Sequence, residues 1–190
     1  MGREFELKFA ATPEKLALLR AAKGNWTEIQ METTYFDTAV HFLAAQNCTL
    51  RCRMENGAPV CTLKTPTEDS LGRAEWEAME PWSAKIVGFL FAAAGLPPIP
   101  FDQLQPVCGA RFTRLAQAVE LDDCTVEIAL DEGVLLGGGR QIPLCEVEVE
   151  VKSGSEAAAM VWAKNFAADF DLQPERKSKF KRAWQLSKGE

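Results

Sequence analysis

Cys145-Glu146-Val147-Glu148-Val149-Glu150-Val151 alternates three carboxylates with four apolar side chains. Successive side chains of a β-strand point to opposite faces, so the acids share one face and the apolar groups the other. Four further segments repeat the pattern. Glu4, Glu6 and Lys8 alternate with Phe5, Leu7 and Phe9. Arg51 and Arg53 share a face of Leu50-Arg51-Cys52-Arg53-Met54, Thr62 and Lys64 a face of Val60–Lys64, and Arg73, Glu75 and Glu77 a face of Gly72–Ala78. One such strand is what an antiparallel sheet with a solvated face looks like. As a set they point elsewhere. Their polar faces are rich in Arg and closely spaced Glu and poor in Ser, Gln and Asn, and amphipathic helices are at hand to cover the apolar faces. The second arrangement is a closed sheet turned inside out, with charges lining the lumen.

The rest of the chain fits that sheet. The alternation predicts strands near 3–9, 27–37, 48–54, 59–65, 72–80, 108–120, 124–131 and 143–152. Asn56-Gly57 is a strong hairpin signal, Asp122-Asp123 a short turn, and Gly137-Gly138-Gly139 a loop without the Lys-Ser/Thr ending of a phosphate loop. Helices are predicted near 13–23 (cap Thr12, Pro13 first, Gly24 beyond), 84–94 (cap Ser83, stop Gly95) and 156–170 (cap Ser155). In the last, Met160, Val161, Phe166 and Phe170 suggest the apolar stripe. Gly95-Leu96-Pro97-Pro98-Ile99-Pro100 breaks regular structure, but neither half alone has enough strands to close a sheet. The expectation is one domain over 1–190, an α+β fold built on an eight-stranded antiparallel barrel with helices outside.

Composition narrows the function. The 190 residues are 47% hydrophobic, enough for a core, and the net charge of −6 disfavours a nucleic-acid binder. Cys48, Cys52, Cys61, Cys108, Cys124 and Cys145 contain no Cys-x-x-Cys pair, so a zinc ribbon is not expected and each reads as a small buried hydrophobe. The first residues are charged and lack the apolar stretch of a signal peptide, and no apolar run reaches the ~20 residues of a membrane span. A cytoplasmic location with reduced thiols is expected. His41 is the only histidine, which removes histidine triads from consideration. The five tryptophans and the basic run 176–182 read as packing and as a mostly solvated face.

A charged lumen has chemical consequences. Glu148 and Glu150 would stand about 6–7 Å apart, two strand steps. At an effective dielectric near 20 they would repel by roughly 2–3 kcal/mol. A divalent cation relieves that repulsion, and carboxylates are the ligands Mg²⁺ and Mn²⁺ prefer. Rows of Arg and Lys ask for anions, Arg by bidentate contact with phosphate oxygens. Acids on one wall and Arg/Lys on the other suit a metal-chelated polyphosphate.

The same residues carry a resemblance. Glu4-Phe5-Glu6-Leu7-Lys8 resembles the Glu-x-Glu-x-Lys signature of CYTH-domain proteins, the triphosphate tunnel metalloenzymes. Tyr35–Thr38, Leu50–Arg53, Thr62–Lys64, Arg73–Glu75, Leu130–Gly133, Glu146–Glu150 and Ser178-Lys179 resemble that family's later elements, in order. The resemblance implies an eight-stranded tunnel that binds triphosphates with Mg²⁺ or Mn²⁺. Lys8, Arg51, Arg53, Lys64, Arg73, Arg114 and Lys179 would hold phosphates. Glu4, Glu6, Glu148 and Glu150 would hold metal, with Asp131 and Glu75 as supporting or second-metal ligands. Lys8, Glu6 and Glu148 would stand at the reacting centre. Glu146, nearer the strand start, ranks lower, and Arg111, three residues from Arg114, cannot share its face. The segment Val126–Ser153 looks most like bacterial inorganic triphosphatases, so hydrolysis of inorganic triphosphate is the leading expectation. A thiamine triphosphatase, a class IV adenylate cyclase and a non-catalytic polyphosphate-binding module are the alternatives. The expected partner is a small-molecule triphosphate, with neither membrane nor nucleic acid and with a homodimer left open.

Overall fold

The alternating segments become strands, and their charged faces turn inward. The computed structural model describes residues 2–22, 24–67 and 72–189. In chain order it contains β1 (Gly2–Glu4), β2 (Glu6–Ala10), α1 (Pro13–Ala22), β3 (Thr27–Asp37), α2 (Phe42–Ala45), β4 (Thr49–Glu55), β5 (Ala58–Pro66), β6 (Arg73–Ala78) and α3 (Ala84–Ala93). A 3₁₀ turn at Phe101–Gln103 leads to β7 (Gln105–Glu120), β8 (Cys124–Gly137) and β9 (Arg140–Gly154). The chain ends with α4 (Glu156–Asp169), β10 (Gln173–Pro174) and α5 (Lys179–Lys188).

The strand order is β1-β6-β5-β4-β3-β7-β8-β9-β2-β10, and every pairing is antiparallel. β1 pairs with β6 while β2 pairs with β9, and only Phe5 separates β1 from β2. The N-terminal segment therefore joins both ends of the ladder and completes a tunnel. The expected single first strand is interrupted at Phe5, whose carbonyl still accepts from Val151 N of β9 at 3.0 Å. With β1 and β2 taken as one, the ring has the expected eight strands, and β10 adds two residues beside β2.

Turn chemistry sets the hairpins. Asn56 (φ 49°) and Gly57 (φ 84°) both lie in the left-handed region, as a tight two-residue hairpin turn requires. The Asn56 side chain accepts from Gln30 N at 2.9 Å and ties that turn to β3. The strands β8 and β9 run farther than their sequence suggests, to Gly137 and from Arg140, so the glycine loop shrinks to a turn around Gly138 and Gly139.

The apolar faces are covered from outside. Phe9, Val126, Ile128, Leu130, Val147 and Val149 pack beneath Leu16 and Leu19 of α1 and Ala159, Ala163, Phe166 and Ala167 of α4. Val161, assigned to that stripe from sequence, instead faces solvent at 62% exposure, because small alanines make the close contact. On the opposite side Leu50, Cys61, Leu63 and Trp76 pack beneath Ile86, Val87, Leu90 and Phe91 of α3, with Leu43 of α2 at the edge. Fully burying one such Leu or Ile contributes about 1.5–3 kcal/mol. Thr12, Ser83 and Ser155 cap α1, α3 and α4 as their sequences require.

Helix α5 is different. On β7, β8 and β9 the lumen-facing row changes from charged (Arg114, Asp131, Glu146) to apolar (Phe112, Ala110, Leu135, Leu144) toward the β8–β9 turn. Ala183 of α5 packs on that apolar stretch, so α5 closes over the inner face of the sheet rather than its outside. No helix among the described residues is long and apolar enough to cross a membrane.

Candidate functional site

The tunnel encloses a cavity of about 870 Å³. On its wall cations outnumber carboxylates, although the whole chain carries −6. Lys8, Arg51, Arg53, Lys64, Arg73, Arg114 and Lys179 all line it, as do Glu4, Glu6, Glu75, Glu148 and Glu150. Segments up to 175 residues apart in sequence supply these groups, and the fold brings them together. In the ring of eight, β4 lies opposite β9, so Arg51 and Arg53 stand across the lumen from Glu148 and Glu150.

The basic wall holds more cationic donors than it satisfies. Among the described residues, Arg53 has Glu55 at 3.1 Å, and Arg51 has Glu75 at 3.7 Å. Arg73 is held by Asn47 O at 2.5 Å and Lys64 O at 3.2 Å. The Nε atoms of Arg51, Arg53 and Arg73 are all buried with no hydrogen-bond partner. Burial and the neighbouring guanidinium groups of Arg51 and Arg114 push Arg53 down to about 10. Crowded, incompletely paired guanidinium groups make an anion site. Lys64 contacts Glu4 at 2.5 Å and Glu75 at 3.3 Å, which locks β5 to β1 and β6 through side chains. Thr62, fully buried, donates to Glu77 at 3.2 Å.

The acidic wall is built by register. Glu6 sits directly opposite Glu150, and Glu150 opposite Glu127, giving a transverse row of three carboxylates on β2, β9 and β8. Lys8, opposite Glu148, contacts Glu6 at 2.9 Å; burial opposes its charge, but Glu6, Glu148 and Glu146 raise its pKa. Glu150 contacts Lys152 at 2.9 Å. Burial raises the Glu150 pKa, and the nearby charges of Glu4 and Glu127 add to the rise. Glu6 Oε2 and Glu150 Oε1 have no protein partner among the described residues. Unspent carboxylate oxygens in a row that repels itself fit a hard divalent cation.

The tightest acid cluster lies elsewhere. One carboxylate oxygen each of Asp131, Glu146 and Glu148 falls within 4.8 Å of the others. These three are already neutralised. Arg114 makes a two-pronged contact with Asp131 (2.8 and 2.7 Å) and reaches Glu148 at 2.5 Å. Lys179 meets Asp131 at 2.6 Å and Glu148 at 2.8 Å and also bonds Glu146, while Arg182 bonds Glu146 from behind. Burial would lower the Arg114 pKa and raise that of Glu148, yet their mutual pairing, with Asp131 and Lys179, moves both the other way. The cluster is a salt-bridged foundation for Arg114 and Lys179. Glu148 is the member that also lines the cavity.

The structure refines the reading of Asp131, Glu146 and the C-terminal basic run. Asp131 is fully buried and does not line the cavity; its part is to orient Arg114 and Lys179. Glu146, ranked below Glu148 for its position, is fully buried under α5. From Lys179 the basic run 176–182 is a helix, capped by Ser178 through Lys181 N at 3.1 Å; Arg176, Lys177 and Lys181 are exposed and Arg182 is half-buried, so the run is mostly solvated with the buried Lys179 as its exception. The cap residue was the available signal. Arg114 faces the lumen and Arg111 is exposed outside it, as their spacing requires. His41 is not among the cavity-lining residues and packs against the Trp184 ring at 5.2 Å.

Three comparisons bear on this arrangement. The profile of the CYTH domain family matches residues 2–184. An inorganic triphosphatase of Haemophilus influenzae is 29% identical, with 98% of this chain aligned to 55% of that protein. The chain thus spans about half the length of that relative. Among solved structures, a Hippeastrum protein described as a putative adenylyl cyclase with a dominant triphosphatase activity superposes with a TM-score of 0.69 at 18% identity, covering 98% of this chain and 96% of its own. A Pyrococcus horikoshii protein gives 0.67 at 20% identity, covering 96% of this chain and 99% of its own. These structural likenesses concern the fold. With residues 2–184 matched, the chain belongs to the CYTH domain family.

Proposed function

We propose that the tunnel binds inorganic triphosphate with Mg²⁺ or Mn²⁺ and hydrolyses it to diphosphate and phosphate. The observation that carries this reading is the incompletely paired guanidinium row: Arg51, Arg53 and Arg73 each keep a buried Nε without an acceptor. A linear chain of phosphates supplies acceptors along such a row, and bidentate Arg contacts fix its register. Lys64 and Lys179 add point charges at the sides, and Arg114 holds the phosphates against the Asp131–Glu148 foundation. The similarity to an inorganic triphosphatase supports the choice of substrate.

Glu6 and Glu150, with Glu4 and Glu148 nearby, would hold the divalent cation. When bound, that ion supplies charge neutralisation and Lewis-acid polarisation of phosphoryl oxygens. The protein groups do the rest. The arginine row orients the terminal phosphate for in-line attack by water entering along the lumen. Lys8, between Glu6 and Glu148, keeps a positive charge beside that phosphate, where negative charge shifts toward the leaving diphosphate.

A phosphate-release assay across inorganic triphosphate, thiamine triphosphate and ATP, with Mg²⁺ or Mn²⁺, tests the proposal. Phosphate release with the highest kcat/KM on inorganic triphosphate is expected. Release only from thiamine triphosphate, cyclic AMP formed from ATP, or tight triphosphate binding without turnover would overturn it.

A further inference from the structure

We propose that Arg182, which does not line the cavity, is a positioning residue that keeps Lys179 in phosphate-binding position by taking up the charge of Glu146 from behind α5; this rests on the triphosphate reading of the tunnel. Lys179 and Arg182 are three residues apart on α5, so both project from one helix face onto the sheet. Beneath them lie three buried carboxylates: Asp131, Glu146 and Glu148. Arg114 and Lys179 supply two positive charges against these three carboxyl groups, of which burial pushes Glu146 up to about 7 even with Lys179 and Arg182 beside it. Arg182 supplies the third, and its other nitrogen reaches Glu175 at 3.8 Å.

Position divides the labour. Glu148, Arg114 and Lys179 line the cavity, whereas Glu146, Asp131 and Arg182 do not. Without Arg182, the fully buried Glu146 keeps Lys179 as its one partner among the described residues. Glu146 Oε2 then loses its bond, and the flexible Lys179 ammonium, already on Oε1, is the group able to shift further onto that carboxyl group and away from Glu148 and Asp131. That movement withdraws positive charge from the lumen. Arg182 therefore sets how much of the Lys179 charge a phosphate meets, without touching the phosphate itself.

The test is calorimetric titration of the full chain with inorganic triphosphate, without added divalent metal so that no turnover intervenes. Arg182→Met is expected to weaken binding by about tenfold, as Lys179→Met does, since each costs one charged contact. The Lys179→Met/Arg182→Met double variant is expected to bind no more weakly than Lys179→Met alone, because both act through one ammonium. Adding Glu146→Gln to Arg182→Met removes the orphaned charge and is expected to restore affinity to within about threefold of wild type, which a merely structural role for Arg182 would not do. Should Arg182→Met fail to fold, the Glu146→Gln/Arg182→Met pair and Arg182→Lys carry the same test, both predicted to bind near wild type. Unchanged affinity in Arg182→Met, multiplying effects in the double variant, or no recovery with Glu146→Gln would overturn the inference. Arg53→Ala is the control for the reading beneath it: if Arg53→Ala binds like wild type, or wild type does not bind at all, the tunnel assignment itself fails. Loss in Arg53→Ala with unchanged Arg182→Met overturns only the role of Arg182.

Discussion

At the scale of single residues, the site rests on which charges are spent and which are not. Arg53 is buried, crowded by Arg51 and Arg114, and among the described residues paired with Glu55 alone. Its substitution by Ala should weaken triphosphate binding by about 10–100-fold, the loss of one or two charge-assisted hydrogen bonds, measured by calorimetry. Glu6 and Glu150 keep free oxygens, while Glu148 is committed to Arg114 and Lys179. Glu6→Gln should therefore raise the Mg²⁺ or Mn²⁺ concentration for half-maximal phosphate release by about tenfold or more, with the thermal midpoint little changed. Glu148→Gln should do something else: it loosens Arg114 and Lys179 and should weaken triphosphate binding even without metal. An unchanged metal requirement in Glu6→Gln would contradict the assignment of the acidic row.

At the scale of elements, period-two alternation was a sufficient guide to the strands, because a charge on every second residue leaves one register possible. It also placed Lys8, Arg51, Arg53, Lys64 and the acids on the wall they occupy. Two things escaped it. The strands β8 and β9 continue through Gly133 to Gly137 and from Arg140, a stretch whose glycines read as loop. The reason lies in α5, because a Cβ on Gly137 would overlap the Ala183 carbonyl and the Ser187 backbone. The glycine is there for close approach of the helix, not for a loop. The helix itself was hidden because its cations, of which Lys179 is buried and Arg182 half-buried, find their carboxylate partners Glu148 and Glu146 more than 30 residues away in sequence. Gly137→Ala should thus push α5 off its seat and cost about 1–3 kcal/mol in urea unfolding. An unfolding free energy equal to wild type would show that α5 does not pack there.

At the scale of the whole molecule, burial makes four of the thiols and the one tyrosine harder to deprotonate. Burial pushes Cys108 and Cys61 up from 9.0 to about 12, and it raises Tyr35, Cys48 and Cys145 as well. Each group holds its proton more tightly folded than unfolded. The unfolded chain therefore loses protons first as pH rises past about 9, and stability present below that pH is lost above it. Arg53, lowered to about 10, works in the opposite direction, but only above its own value. The urea midpoint should fall steadily between pH 8 and pH 10; a flat or rising midpoint would contradict the burial of these groups. The inverted barrel explains the arrangement as a whole. Helices α1, α3 and α4 supply the hydrophobic contacts outside, which leaves the interior free to be charged. The most direct test of that central claim is a crystal structure with inorganic triphosphate bound. The account predicts phosphate oxygens inside the tunnel, within hydrogen-bond distance of the Arg51 and Arg53 guanidinium groups. Triphosphate bound on the outer surface, with the tunnel empty, would contradict it.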